Sequence, residues 1–471
     1  MSSAPGVAVV GRTASASGAG SPFAIRGVIE GFYGRPWTHR QRLDLIPFLA
    51  ERGMNSFVYG PKDDPLLRRD WRLPYDGELL ARLSELVERC AAHGMRFTWC
   101  ISPGLSMRYS DDADLAALSA KLASVGALGV TSFGLLLDDI PRDLQHAQDR
   151  SAFGDLAEAH AHVTRSVAAR LPAGTHLVVC PTVYRGTGTE DYLVRLAAGI
   201  DPRIDLFWTG RAICSPVLDL ADAATFTRAT LRPPLYWDNY PVNDVAMAYE
   251  LHIGPYRGRD PLLWRSAAGI VANGMELFEA SRIPFATIAD YLHDPEGYDP
   301  EASWQRAIRD VAGEADAGAF ALFADNVRSS ALSDDDAPMV GRALERLGFE
   351  LDQGEPETRG AATELRALAD RLLAAAARLL GDDVTNRALM DECRPWLQGL
   401  ELGAHALARL ADLAAEGRLA SDGAAELRPF LIRLRRARVR VFGDVVEMTL
   451  SDLTGTMFRP GEVPELEGGA P

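Results

Sequence analysis

Short apolar runs alternate with longer stretches of helical spacing from residue 23 to about 280. The runs at 24–30, 55–60, 96–101, 131–137, 176–181, 204–208, 234–238 and 268–272 have strand length and are bounded by turn-forming residues, which predicts eight strands. Between them, stretches such as 39–52, 77–93 and 151–171 carry apolar residues at the period of an amphipathic helix. Strands that alternate with helices imply a parallel sheet, and eight such units fit a closed (β/α)8 TIM barrel of roughly 250 residues. The alternative, an open doubly wound sheet, is weighed down by the count of eight and by the missing glycine fingerprint.

Beyond residue 300 the pattern changes. Segments 358–380, 398–416 and 424–440 are rich in Ala, Leu and Arg with Glu interspersed, which are good helix formers with amphipathic spacing. Breaks at Ser333–Pro338 and Gly354–Glu357 read as loops. The expected organisation of this α/β chain is a flexible N-terminal segment (1–22), a catalytic barrel (23–300), a C-terminal helical domain (301–455) and a disordered Pro/Gly/Glu-rich tail (456–471). The basic run Arg433 to Arg440 reads as a solvated helix face, with a groove or a homodimer contact through the helical domain as the alternative.

The 471 residues carry a formal net charge of −16, which argues against a nucleic-acid partner, since phosphate binding needs clustered positive charge. No apolar run approaches the roughly 20 residues of a membrane span. The first residues lack a basic segment followed by a sustained apolar core, so a cytoplasmic location is expected. Five scattered cysteines without a C-x-x-C spacing read as reduced core residues. His160 and His162 lie two apart on a predicted helix and point to different faces, and no H-E-x-x-H, P-loop or G-x-S-x-G occurs, so neither metal nor cofactor is expected.

A barrel places its chemistry on the loops after its strands. The residues there are Glu30 to Gly34 after the first strand, Pro61, Lys62 and Asp63 after the second, and Asp138 and Asp139 after the fourth. Tyr184 follows the fifth, Thr209 and Gly210 the sixth, Trp237, Asp238 and Asn239 the seventh, and Asn273 the eighth. Each has a bland reading alone, as a turn former or a core residue. Together they make a polar and aromatic cup. Asp138 and Asp139 stand out because they end a buried apolar run, Phe133 to Leu137, whereas the other Asp-Asp pairs sit in polar surroundings.

Two adjacent acids beside Trp, Tyr and Asn point to carbohydrate chemistry. Most glycosidases set two carboxylates across the scissile bond, about 5–9.5 Å apart, which consecutive residues hardly supply. Substrate assistance needs both acids on one side of the sugar. The substrate's own 2-acetamido oxygen attacks the anomeric carbon, one carboxylate orients the amide, and the other protonates the leaving oxygen. Of 49 basic residues only Lys62 and Lys121 are lysines. Lys62 on the active rim suggests that a compact ammonium is required there. Lys121, on a predicted helix, reads as incidental.

The segments RGVIEGFYGRPW (26–37), YGPKDDP (59–65), ISPGLS (101–106), FGLLLDDI (133–140), CPTVY (180–184), FWTG (207–210), YWDNYPVND (236–244) and GPYRGR (254–259) together resemble the β-N-acetylglucosaminidases of glycoside hydrolase family 84. That family includes enzymes that remove O-linked N-acetylglucosamine (O-GlcNAc) from proteins. The resemblance covers about 23–290 in unbroken order and implies a (β/α)8 barrel working by substrate assistance. It assigns Asp138 to polarising the acetamido group and Asp139 to general acid and then base. It gives Tyr184 the acetamido group and the developing oxazoline, and makes Trp237 a wall around the acetamide. Gly31, Lys62, Asn239, Asp244 and Asn273 would hydrogen-bond the sugar, Tyr33 and Thr209 would shape the pocket, and Cys180 and Ile213 would line its acetamido end. The implied partner is a GlcNAc-containing glycan or glycoprotein. Two rival readings are a hyaluronan-like polysaccharide hydrolase on the same barrel and a non-catalytic GlcNAc-binding protein. The second is disfavoured by the presence of both acids, Tyr184 and Asp244.

Overall fold

Eight parallel strands close on themselves in chain order. They are β1 (Ile25–Glu30), β2 (Ser56–Tyr59), β3 (Arg96–Ile101), β4 (Ser132–Leu136), β5 (His176–Cys180), β6 (Asp205–Trp208), β7 (Leu235–Asp238) and β8 (Gly269–Asn273). The ring is completed where β8 pairs with β1, from Ile25↔Gly269 to Ile29↔Asn273. The computed structural model describes residues 20–353, 358–419 and 423–456. Every predicted strand is found, each within one residue at either end.

Side chains alternate across the barrel wall, as the period of a strand requires. Ile25, Ile29, Val58, Cys100, Leu136, Val178, Phe207, Leu235 and Val271 fill the interior. Their neighbours Val28, Phe57, Trp99, Phe133, Val179, Trp208 and Tyr236 pack under the surrounding helices. Those helices are α1 (His39–Glu51), α2 (Gly77–Ala92), α3 (Asp112–Gly126), α4 (Ala147–Ala152), α5 (Leu156–Ala168), α6 (Asp191–Ala198), α7 (Leu220–Thr230) and α8 (Phe278–His293). Thr38 and Gln41 form a reciprocal capping box that starts α1 immediately after the β1 loop.

Two departures from an ideal repeat have local causes. The stretch 151–171, expected as one helix, is α4 followed by α5. Asp155 is extended between them, and its carboxylate accepts the Glu158 N–H at 2.9 Å to begin α5 afresh. The connection from β7 to β8 contains no α-helix, only short 3-10 turns at Val245–Met247 and Leu263–Arg265. Pro241, Pro255 and Pro261 interrupt that segment, removing donors and fixing φ.

The remaining helices are α9 (Pro300–Ala312), α10 (Glu314–Ala324), α11 (Pro338–Gln353), α12 (Thr358–Leu380), α13 (Arg387–Ala415), α14 (Ala424–Ala437) and α15 (Val445–Thr454). The helix expected at 398–416 begins at Arg387, capped by Asn386, with Pro395 inside it. The helix expected at 424–440 ends at Ala437, where Arg438 turns left-handed at φ 54°. The loop expected at Ser333–Pro338 leads into α11, whose first residue is Pro338. The loop at Gly354–Glu357 and most of both expected terminal segments, 1–19 and 457–471, lie outside the described residues.

These helices grip the β7–β8 connection. The Trp304 indole donates to Ile253 O at 2.6 Å, the Trp396 indole donates to Tyr249 O at 3.0 Å, and Arg440 pairs with Glu250 at 2.7 Å. The basic run is therefore not wholly a solvated face: Arg440 binds the barrel, and Arg435 pairs with Glu447 on α15 at 3.1 Å. Among the described residues, no helix is long and apolar enough to cross a membrane.

Candidate active site

A cavity of about 630 Å³ opens at the C-terminal ends of the strands. Its wall includes Gly31, Lys62, Asp138, Asp139, Tyr184, Trp237, Asn239, Asp244 and Asn273, together with Tyr33, Cys180, Thr209 and Ile213. All the residues singled out for substrate contact or pocket shape are thus brought together.

The two acids reach the same space through a backbone turn. Leu137 still keeps barrel register: its N–H donates to Cys180 O at 2.8 Å and its carbonyl accepts the Thr182 hydroxyl at 2.6 Å. Consecutive residues in a continued strand would point to opposite faces. Asp139 instead adopts a left-handed φ of 51°, so both carboxylates line one cavity. That conformation costs a non-glycine residue roughly 1–2 kcal/mol.

The carboxylates have different surroundings. Asp138 is buried, and its Oδ2 is ion-paired with Lys62 Nζ. Its Oδ1 is buried with no hydrogen-bond partner among the described residues. Asp139 is one-third exposed and accepts from two phenols, Tyr33 at 2.9 Å on Oδ2 and Tyr184 at 3.0 Å on Oδ1. Lys62 Nζ also lies 4.0 Å from Asp139 Oδ2 and 5.3 Å from the centre of the Trp237 ring. Burial works against the Lys62 ammonium, but Asp138, Tyr33 and Asp139 outweigh it and raise its pKa. Burial pushes the Tyr33 phenol up to about 12, with Asp139 adding to the rise. Burial and then Asp139 also push Tyr184 up. Both phenols therefore stay protonated and donate at neutral pH.

The rest of the cup is a chain of amides. The Gly31 N–H donates to Asn273 Oδ1 at 3.1 Å, and Asn273 Nδ2 donates to Asn239 Oδ1 at 3.0 Å. Asn239 Oδ1 also accepts the Trp237 indole at 2.9 Å, and Asn239 Nδ2 donates to Ile213 O at 3.0 Å. A Cβ at Gly31 would sit 2.4 Å from the Trp237 ring, so only glycine lets that wall close. Asp244 Oδ2 accepts the Tyr33 N–H at 2.7 Å, while burial raises its carboxyl pKa. Asn239 and Asn273 each keep one amide hydrogen uncommitted by these bonds. Among the described residues, no three His, Cys, Asp or Glu side chains converge as metal ligands.

Three strand-end residues of the expected cup face elsewhere, because alternation turns them outward. Glu30 is buried against α1, where it binds Arg42 at 2.6 Å and accepts the Trp37 N–H at 2.9 Å. Phe32 packs on Trp37, with ring centres 5.2 Å apart. Asp238, between the inward Trp237 and Asn239, is buried with Arg259 at 2.5 Å. Asp63 is exposed and receives the Gly34 N–H at 2.7 Å. Sequence reasoning missed Thr182, Arg259 and Arg68. Thr182 and Arg259 lay within quoted motifs but carried no charge pairing or spacing that would reveal a role.

The Lys121 expectation is overturned. Its ammonium is buried, donates to Leu66 O at 3.2 Å and to Leu73 O, and lies 4.1 Å from the centre of the Tyr75 ring. It ties α3 to the loop that carries Lys62, and is not incidental.

A family model described as beta-N-acetylglucosaminidase matches residues 26–325. The chain belongs to the β-N-acetylglucosaminidase family. It is similar to the protein O-GlcNAcase of Rattus norvegicus, 32% identical over 298 residues, which is 61% of this chain and 32% of that protein. It is 33% identical to the protein O-GlcNAcase of Mus musculus over 296 residues, 62% of this chain and 32% of that protein. This family member thus spans about a third of the length of these two relatives. Its structure is similar to that of a mutant O-GlcNAc hydrolase of Thermobaculum terrenum, with a TM-score of 0.87 and 34% identity over 94% of this chain and 100% of that one. That likeness takes in the helical region as well as the barrel.

Proposed function

We propose that this protein is a retaining exo-β-N-acetylglucosaminidase that removes terminal β-linked GlcNAc, including O-GlcNAc on proteins, by substrate-assisted catalysis. The observation that carries the reading is Asp138: Lys62 holds one oxygen, and the other is a bare, buried acceptor in a cavity shared with Asp139. A buried acceptor without a donor is costly unless a ligand satisfies it. The N–H of a 2-acetamido group supplies that donor.

With the amide so held, its carbonyl oxygen attacks the anomeric carbon as the glycosidic oxygen departs with a proton from Asp139. The product is an oxazoline whose positive charge lies beside the Asp138 carboxylate. Water then attacks the anomeric carbon and gives its proton to Asp139. Two inversions amount to retention. Trp237 backs the acetamido group. Asp244 and the uncommitted amide hydrogens of Asn239 and Asn273 serve the sugar hydroxyls. The protein-linked substrate is supported by the names of the relatives. A cytoplasmic site of action is supported by the free cysteines, four of them buried.

The test compares an aryl 2-acetamido-β-glucoside with the plain aryl β-glucoside and the galacto epimer. Only the first should turn over well, with retained anomeric configuration, and a thiazoline mimic of the oxazoline should compete with it. Comparable rates on the plain glucoside would sink the mechanism. Asp139→Asn should lose roughly 10²–10⁴-fold on a poor leaving group and much less on an activated one. Asp138→Asn should slow both alike, because cyclisation precedes every product. A preference for internal bonds of hyaluronan-like chains would favour the polysaccharide hydrolase instead.

A further inference from the structure

Residues 60–76, between β2 and α2, carry a second cation to Asp139 from outside the cavity wall. Arg68 Nη1 donates to the Tyr33 hydroxyl at 2.9 Å, and Arg68 Nη2 donates to the main-chain oxygen of Asp139 at 3.2 Å. The Tyr33 hydroxyl in turn donates to Asp139 Oδ2 at 2.9 Å. One guanidinium therefore holds both ends of the same residue, its carbonyl directly and its carboxylate through a phenol. We infer that Arg68 is a positioning residue for the general acid/base Asp139. The inference rests on the role given to Asp139 above.

Asp139 is the acid whose backbone is least secure. It is left-handed at φ 51°, on a turn that leaves the barrel ladder after Leu137. A strained residue keeps such a conformation only where its surroundings over-determine it. Thr182 fixes the near side of the turn through Leu137 O, and Arg68 fixes the far side through Asp139 O. The loop bearing Arg68 is anchored: Leu67 O accepts the Ser102 N–H at 2.8 Å, and Leu66 O accepts the Lys121 ammonium at 3.2 Å. Arg68 forms no ion pair with a carboxylate side chain among the described residues, so its two terminal nitrogens serve this turn.

The chemistry explains why a planar fork is used. Arginine's terminal nitrogens aim two hydrogens at two acceptors in a fixed relation, which a lysine ammonium cannot match at both. Because the Tyr33 oxygen accepts from a cation, its own hydrogen is a stronger donor to Asp139. A general acid must lie within hydrogen-bond reach of the leaving oxygen, so a small drift of Asp139 weakens proton delivery without touching sugar binding.

The test measures kcat/KM of Arg68→Met and Arg68→Lys on two aryl 2-acetamido-β-glucosides, one with phenol and one with dinitrophenol as leaving group. Arg68→Met should lose about 10–100-fold on the phenyl substrate, a share of what general acid help is worth. On the dinitrophenyl substrate it should lose less than about threefold, because that leaving group needs little protonation. Arg68→Lys should fall between Arg68→Met and wild type. A partly unfolded variant loses activity on both substrates alike, so the ratio reads positioning alone. Equal losses on the two substrates, or rates unchanged on both, overturn the inference. Asp139→Asn run beside them separates the two ideas. If it shows no leaving-group dependence, the assignment of Asp139 fails. If it shows one and the Arg68 variants do not, only the role of Arg68 fails.

Discussion

Lys62 is a buried charge with no room to spare. Its ammonium is wedged between Asp138 and the Trp237 ring, with only 2% of its side chain exposed. A guanidinium is larger and planar, so at this position it must push Asp138 or Trp237 out of place. Lys62→Arg should lower kcat/KM for the acetamido-glucoside about 10- to 150-fold, the equivalent of roughly 1.5–3 kcal/mol for a misplaced charged hydrogen bond. Lys62→Met should cost folding stability too, because breaking a buried pair leaves an uncompensated carboxylate and costs about 3–5 kcal/mol. Steady-state kinetics and urea unfolding at pH 7 check the two outcomes. Wild-type kinetics for Lys62→Arg would show that the ammonium is dispensable. Lys62 was legible in the sequence because lysine is so rare in this chain. Its partner was not, since an ion pair across 76 positions leaves no local pattern.

Elements differ in how plainly they are written. The barrel strands are unbroken apolar runs bounded by turn residues, so each stood out to within one residue. Helix ends depend on single side chains. Asp155 restarts a helix that periodicity alone would continue, and Asn386 starts α13 well before its apolar stripe becomes obvious. Strand-end residues were legible as a group but not by face, which is why Glu30 and Asp238 were counted in the cup and point away from it. Lys121 escaped because its hydrogen-bond acceptors are backbone carbonyls, which sequence does not mark. Burial pushes its ammonium down to about 8, while Leu66 O, Leu73 O and the Tyr75 ring receive it. Lys121→Met should remove that clamp and destabilise the fold by about 1.5–3 kcal/mol. Lys121→Arg should not be silent, for the bulkier head has no space in a site only 3% exposed. Because the clamped loop bears Lys62 and Arg68, kcat/KM should fall further than the loss of folded protein explains. Equilibrium urea unfolding, with kinetics corrected for folded fraction, decides. A variant of wild-type stability and activity would return Lys121 to the incidental role.

At the scale of the molecule, the helical region and the barrel act on one another through buried polar contacts. Amphipathic periodicity says that a helix has a buried face but not what covers it, so this interface could not be read from sequence. On α13, Glu392 accepts the N–H groups of Glu279 at 3.1 Å and Ala280 at 2.9 Å in the first turn of α8, the helix that follows β8 and Asn273. Asn386 reinforces the joint by donating to Glu279 at 3.0 Å and to Val311 O at 2.9 Å. Burial raises the Glu392 carboxyl to about 7, the neighbouring Glu279 adds to the rise, and the backbone N–H groups oppose it. The sign of the pH dependence follows. Between about 4.3, the pKa of an unfolded glutamate, and about 7, the folded protein binds a proton that the unfolded chain has lost. The contribution of Glu392 is therefore full below the lower value and is lost as pH rises through the upper one, with a total on the order of 4 kcal/mol. Glu392→Gln keeps an acceptor but cannot titrate. Its stability relative to wild type should improve steadily from pH 5 to about pH 7 and level off by pH 8, on top of a constant offset for the one N–H that its amide serves less well. Urea unfolding of both proteins at pH 5, 6, 7 and 8 measures this directly. A difference between them that stays flat across those four values would mean that Glu392 is already ionised at pH 5, held so by the N-terminus of α8, and that the junction of helices and barrel does not sense pH through this residue.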